Sequence, residues 1–255
     1  MYPAERRQEI LRWLEKDSSV TVAELASHFG VSRASIRRDL NHLRLRGLVR
    51  RTYGGAVDPD SLVMEAPFNE RKVSRYEEKD RIGQAAAQLV GPGETIFIDG
   101  GTTTECMIPY LGDKRRLTVV TNALNIASRV AAYAEITLIV IGGTLHRRSQ
   151  TLVGVLAHDN MRAYNMHFDK AFVAARGVSA EAGLTNASFE EIPMKRKAIE
   201  SSSQAIVLVD SSKIGVIAAG QIAPVSRINR LITTREAPAS EIEELRRLGL
   251  DVQTV

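Results

Sequence analysis

Asp99-Gly100-Gly101-Thr102-Thr103-Thr104 places a carboxylate, two glycines and three hydroxyls in one row. Glycines let a backbone approach a ligand closely, and hydroxyls offer donors. A helix opening near Thr103 would aim its free amides at the same spot, which makes an anion cradle suited to phosphate. The run lacks the Gly-Lys-Ser/Thr ending of a Walker loop, and it also reads as an ordinary strand-to-helix turn capped by threonine. Similar clusters recur downstream: Thr121-Asn122, Gly142-Gly143 with Arg147-Arg148 behind it, Arg176-Gly177, Gly183-Leu184-Thr185, and Asp210-Ser211-Ser212-Lys213. Turn chemistry alone favours Gly, Asn, Asp and Ser. The cations Arg147, Arg148 and Lys213 point further, to a phosphorylated polyol or sugar, with Lys213 as a point charge for phosphate or else a solvated surface lysine.

A second chemistry sits near the N-terminus. At about 100° per residue, Ile36, Leu40 and Leu43 fall on one stripe. Ala34, Ser35, Arg37, Arg38, Asn41 and His42 fall on the opposite face. Guanidinium forks, amides and short hydroxyls on an open helix face are what a major groove requires: cations for phosphates, forks and amides for base edges. The bland alternative is a surface helix with a basic face.

These residues need elements to hold them. Residues 5–16 carry Ile10, Leu11 and Leu14 at helical spacing, and Val20 to Val22 make a short strand or extended entry. Thr21 followed by Glu24 fits a capping box that opens a second helix through Phe29. Gly30 stops it by tolerating a left-handed backbone. Ser32 then caps a third helix to about Arg46, which completes a helix-turn-helix. The run from Gly47 to Ala56 reads as a hairpin wing, with Arg50, Arg51 and Tyr53 facing backbone or minor groove. Asp58-Pro59-Asp60-Ser61 opens a linker extending to residue 67. Beyond it, apolar strands at 94–99, 117–121, 136–141, 168–174, 205–209 and 230–233 alternate with helices at 77–90, 123–132, 192–202 and 240–248. That alternation is the pattern of an α/β domain with a mostly parallel sheet. Ligands of such sheets bind at the carboxyl ends of the strands, where the clusters above fall.

Here the residues resemble a known family. Val31 through Leu40, then Leu43, Gly47 and the run Arg51-Thr52-Tyr53-Gly54-Gly55-Ala56, closely resemble the DeoR-type winged helix-turn-helix, with Ser35 and Tyr53 standing where the family usually has Thr and His. The rest resembles the DeoR C-terminal sensor domain through Asp99 to Thr103, Thr121-Asn122, Gly142-Gly143, Asp169-Lys170-Ala171-Phe172, Gly183-Leu184-Thr185, Glu191 followed by Lys195, and Asp210 to Lys213. The resemblance spans nearly the whole chain. It implies a cytoplasmic bacterial transcriptional regulator, usually a repressor of sugar catabolism. It also implies a sensor similar in fold to ribose-5-phosphate isomerase, a phosphorylated sugar effector and a homo-oligomer, dimer or tetramer. Arg176, where a small residue is common, is expected to reach the ligand or a subunit contact.

The resulting expectations are specific. Residues 1–57 form a winged helix-turn-helix on double-stranded operator DNA, with Ser32, Arg33, Ser35, Arg37, Arg38, Asn41, His42, Arg50, Arg51 and Tyr53 at the interface. Residues 58–67 are a linker. Residues 68–255 bind the effector through Asp99, Gly101, Thr102, Thr103, Thr104, Asn122, Gly142, Gly143, Arg148, Lys170, Arg176 and Lys213. The competing reading is a sugar-phosphate isomerase tethered to DNA, using Asp99, Asp169, Glu191, Lys170 and Lys195 in acid–base work.

Composition agrees. The chain has 255 residues, 44% hydrophobic and 25% charged, ordinary for a globular protein and wrong for a wholly disordered one. Residues 1–57 hold 11 Lys and Arg against 6 Asp and Glu, while the other 198 residues hold 23 against 24, so the basic excess lies in the proposed DNA module. No secretory signal opens the sequence. The lone Cys106 excludes an internal disulfide and a multi-cysteine zinc site, and it suggests a reducing compartment. His28, His42, His146, His158 and His167 are scattered, so neither a metal site nor a cofactor is called for.

Overall fold

The computed structural model describes residues 3–17, 19–46, 48–51, 55–57 and 68–255. Gly47, Tyr53 and the linker at 58–67 lie outside the described residues. The chain divides into two compact units, Met1–Ala66 and Pro67–Val255.

In the first unit, helix α1 spans Pro3–Asp17, strand β1 Ser19–Thr21, helix α2 Val22–Phe29 and helix α3 Arg33–Leu45. Strands β2 (Arg50–Arg51) and β3 (Gly55–Val57) form the wing. The β3 strand also pairs with β1, antiparallel, with Val20 opposite Ala56, so the sheet order is β1-β3-β2. The local signals act as expected. The Glu24 amide donates to Thr21 Oγ1 at 3.1 Å and the Thr21 amide to Glu24 Oε2 at 2.9 Å, closing a capping box. Gly30 ends α2 at φ +62°, the left-handed conformation that costs glycine nothing. Ile10, Leu14, Leu25, Ile36, Leu40 and Leu43 make the core.

The second unit begins with helices α4 (Phe68–Val73) and α5 (Tyr76–Gln88). Then follow β4 (Thr95–Ile98), α6 (Thr102–Glu105), β5 (Thr118–Thr121), α7 (Leu124–Val130), β6 (Thr137–Val140), β7 (Thr144–His146), β8 (Thr151–Val153) and α8 (Val155–Ala163). The remainder comprises β9 (Phe168–Val173), β10 (Gly177–Ser179), β11 (Gly183–Asn186), α9 (Ile192–Glu200), β12 (Ser202–Leu208), β13 (Gly220–Ala223), β14 (Arg230–Thr233), α10 (Ala239–Arg247) and β15 (Asp251–Thr254). Seven strands form one sheet in the order β15-β14-β12-β9-β4-β5-β6, every neighbouring pair parallel. Its two faces feed two cores. Phe97, Val120, Ala171, Val207 and Leu231 pack with α8, α9 and α10, while Ile96, Ile98, Val119, Phe172 and Ile206 pack with α5 and α7. Burial on both sides explains why the inner strands read as unbroken apolar runs.

Two expectations are corrected here. The strand expected over 136–141 is shorter, Thr137–Val140, and only the flanking Ile136 and Ile141 are buried. The β6 strand is the sheet edge, paired with β5 alone, and Ile139 and Val140 are exposed. Lys170 sits low on β9, opposite Ile96, and its ammonium pairs with Glu94, which precedes β4. It therefore lies at the amino end of the sheet, away from the strand-end clusters. A one-position reading of a strand motif cannot tell which end of the strand a residue occupies. Two further features had no counterpart in the sequence reading: the β7–β8 hairpin and a small antiparallel sheet, β10-β11-β13.

Candidate DNA interface and effector site

Helix α3 presents the expected face. Ile36, Leu40 and Leu43 are buried, while Ser32, Arg33, Ala34, Arg37, Arg38 and Asn41 are exposed and Ser35 and His42 half-buried. Ser32 caps the helix, accepting from the Ser35 amide at 3.2 Å. Asn41 Oδ1 accepts from Arg44 at 3.2 Å, which orients its amide. Desolvation, then the positive charges of Arg7 and Arg46, push the His42 pKa down, so the neutral ring both donates and accepts near neutral pH. The backbone of Arg50 and Arg51 lies in the wing. Sequence reading missed Asp39, which is buried at 2% exposure and takes Arg6 at 2.7 Å and Arg7 at 2.8 Å. That pair of bridges fixes α1 against α3 and so sets the angle at which the open face is offered.

In the second unit the chain runs β4-β5-β6 toward one sheet edge and β9-β12-β14-β15 toward the other. The order therefore reverses between β4 and β9, and a crevice at the carboxyl ends of those two strands is the expected ligand site. Asp99 and Gly101 leave β4 there, and Ala174 to Arg176 leave β9. The two exits touch: a Cβ on Gly101 would stand 2.8 Å from the Ala174 Cβ, and one on Gly100 would stand 2.2 Å from the Thr151 methyl. Asn122 follows β5, Gly142 and Gly143 follow β6, and Lys213 lies in the 3-10 turn after β12. Arg148 lies in the turn between β7 and β8, and Asn122 binds that hairpin through the Leu152 carbonyl at 2.9 Å. Eleven of the twelve candidate effector residues thus lie at this end of the sheet, on its loops, on the short helix α6 or on the adjoining hairpin; Lys170 is the exception.

The expected helix cradle is altered. The α6 helix is only four residues long, so its dipole is small, and Thr104 donates inward to the carbonyl of Asp99 at 2.8 Å. Thr102 and Thr103 are buried beside it. Cys106 is buried just beyond, its Sγ 3.2 Å from the Thr102 carbonyl, and burial pushes the thiol pKa up to about 11.

The crevice floor is an ionic lattice. Lys195, the fourth residue of α9, pairs with Asp99 and donates to the Ala174 carbonyl at 3.1 Å. Asp99 accepts from the Ala174 amide at 3.0 Å. Burial pushes the Asp99 carboxyl upward, and Lys195 opposes it. Glu191, one turn before Lys195, takes Asn186 at 2.9 Å and His146 at 3.2 Å. Burial raises its pKa, but the hydrogen bonds of His146, Ser149 and Asn186 with the Lys195 charge outweigh that and hold it at about 2. Asn122 Oδ1 is buried and has no partner among the described residues. Ser149, Thr151 and Asn186 were not singled out in the sequence, and His146 was set aside there as one of five scattered histidines. Only the Glu191/Lys195 spacing, one helical turn, carried a signal.

An exposed cationic recognition helix with a wing, joined in one chain to a parallel α/β unit with a strand-end crevice, defines a ligand-responsive transcription regulator. Family models match both units: a DeoR-like helix-turn-helix domain over residues 6–61 and a DeoR C-terminal sensor domain over residues 74–235. The chain belongs to the DeoR family. It is 32% identical over 253 residues to the HTH-type transcriptional regulator GolR of Listeria innocua, covering 99% of both chains. It is also 32% identical over 245 residues to the glycerol-3-phosphate regulon repressor of Escherichia coli K12, covering 96% of both. Among solved structures, ribose 5-phosphate isomerase A from Methanocaldococcus jannaschii superposes on 55% of each chain with a TM-score of 0.41 and 20% identity. The chain is a DeoR-type transcriptional regulator and not an enzyme; its helix-turn-helix binds DNA and its sensor domain takes an effector. Among the described residues no helix is long and apolar enough to cross a membrane.

Proposed function

We propose that this regulator represses a sugar or polyol catabolic operon in the cytoplasm, and that a phosphorylated sugar in the strand-end crevice controls its grip on the operator. In this reading residues 1–57 hold DNA, residues 58–67 connect, and residues 68–255 sense. The observation that carries it is the crevice itself. The Gly101 backbone at one strand exit is packed against the Ala174 methyl at the next, Lys213 stands on a neighbouring loop, and the buried Asn122 oxygen awaits a donor such as a ligand hydroxyl. The similarity to a glycerol-3-phosphate regulon repressor favours a small phosphorylated effector. A homo-oligomer, dimer or tetramer, sets recognition helices on half-sites about one helical turn apart or a multiple of it.

Thermal shift against sugar phosphates and their unphosphorylated parents tests the sensor, because a ligand that binds only the folded state raises Tm by mass action. The expected result is a rise with one phosphorylated compound and none with its parent. Lys213→Ala is expected to abolish that rise while leaving operator affinity unchanged. A rise with the parent sugar alone, or a full rise in Lys213→Ala, overturns the phosphate assignment.

A further inference from the structure

Residues 68–79, the first stretch after the linker, are tied by side chains to two separate loops of the crevice. On one side Lys72, from α4, reaches Glu105 of α6 at 2.9 Å. Glu105 is buried and also holds Arg129 at 2.6 Å and Asn125 at 3.0 Å, and Asn125 in turn reaches the Gly101 carbonyl at 3.4 Å. Lys72 is thus fastened to the short helix that begins with Thr102, Thr103 and Thr104. On the other side the guanidinium of Arg75 donates to Glu78 at 2.6 Å and to Ser211 Oγ at 3.2 Å. Glu78 accepts from the Ser211 amide at 3.0 Å and from Thr234 Oγ1 at 2.9 Å. Ser211 lies in the same turn as Lys213.

Between these fastenings the backbone makes an unusual bend. Arg75 separates α4 from α5 at φ +53°, in the left-handed region that few non-glycine residues occupy. The buried Lys79 ammonium donates to the carbonyls of Arg71 and Ser74, closing the end of α4. The bend is held by its side-chain partners, and two of those partners sit on loops that line the crevice. A conformation that persists only because its surroundings enforce it changes when they move.

We propose that the α4–α5 junction is the output element of the sensor. Displacement of the Thr102–Glu105 helix or of the Ser211–Lys213 turn by effector passes through Lys72 and Arg75 to the segment that leads back to the DNA-binding unit. This rests on the effector reading above. The coupling needs no contact between effector and junction, only a two-state bend that both sides bias.

Hydrogen–deuterium exchange on the full chain tests it. The probe is a saturating mixture of glycerol 3-phosphate, glucose 6-phosphate, fructose 6-phosphate and ribose 5-phosphate, with the unphosphorylated parents as control. In the wild type, exchange is expected to change at 102–105, at 211–213 and at 68–79 together. Lys72→Met and Arg75→Gly are expected to keep the change at both loops and lose it at 68–79. Glycine adopts the left-handed bend freely, so Arg75→Gly removes the guanidinium without forcing the backbone, and Lys72 is partly exposed, so neither variant should unfold; melting curves check this. A wild-type response confined to the loops overturns the relay and spares the site. An undiminished response at 68–79 in both variants overturns the named route. No response at the loops overturns the site and the relay with it.

Discussion

On α3 the cations stand in water: Arg33, Arg37 and Arg38 are exposed along the helix face. On the crevice floor the ionisable groups are sealed and matched, Lys195 to Asp99 and Glu191 to His146 and Asn186, all but His146 buried. The contrast follows from what each region meets. DNA is a dense polyanion, so exposed charge gives affinity at long range and loses it with salt. A small effector is distinguished by shape and by individual hydrogen bonds, which demands groups fixed in advance. The chain keeps charge outside for reach and inside for frame.

The largest way to break this contrast is to unbalance the frame. Lys195→Met leaves a buried Asp99 without its cation and is expected to cost the sensor unit about 3–5 kcal/mol; urea unfolding reads it, and a loss below about 1 kcal/mol would contradict the frame. The DNA unit has a buried ion pair of its own among the described residues, Asp39 with Arg6. Asp39→Ala strands Arg6 and is expected to lower the stability of that unit by about 3 kcal/mol, so DNA binding falls through unfolding, visible in circular dichroism. Next comes acid. The Glu191 pKa is held at about 2, below its ordinary value of 4.5. Its contribution is therefore present above about pH 4.5 and is lost as pH falls toward 2. Glu191→Gln should remove part of that acid limb in a stability–pH profile; an unchanged profile would mean the group is not held down. On the open face, Arg37→Ala and Arg38→Ala should each weaken operator binding by about 1–2 kcal/mol without moving Tm, and unchanged gel-shift affinity in both would remove α3 as the reading helix. Smallest is Thr21→Ala, which opens the capping box at a cost of about 1 kcal/mol in the DNA unit, measured by thermal melting.

What could be read beforehand divides along the same line. Thr21 with Glu24, Gly30, and the Ile36–Leu40–Leu43 stripe act over a few residues, so their spacing carries the geometry. Arg6 meets Asp39 across 33 positions, and Lys195 meets Asp99 across 96; no local pattern encodes such pairings. Strand existence was legible from apolar runs, but strand order was not, and order decides that Ile139 and Val140 lie at an edge. Register was equally hidden, and it sends Lys170 to Glu94 at the far end of the sheet. The loops around the site announced themselves because Gly, Asn and Asp are required where strands turn. The side chains that stiffen those loops, His146, Ser149, Thr151 and Asn186, come from elements too short to show a period.

The buried Cys106 has a practical consequence. With its pKa near 11, only about one molecule in ten thousand carries the thiolate at pH 7. The natural chain is therefore close to silent toward maleimides and iodoacetamides. A cysteine introduced at an exposed position, Asn41 or Leu45 on α3 or Val73 beside the bend, would take a fluorophore or spin label almost alone. Distances between labelled positions could then be followed in solution without first removing the native thiol.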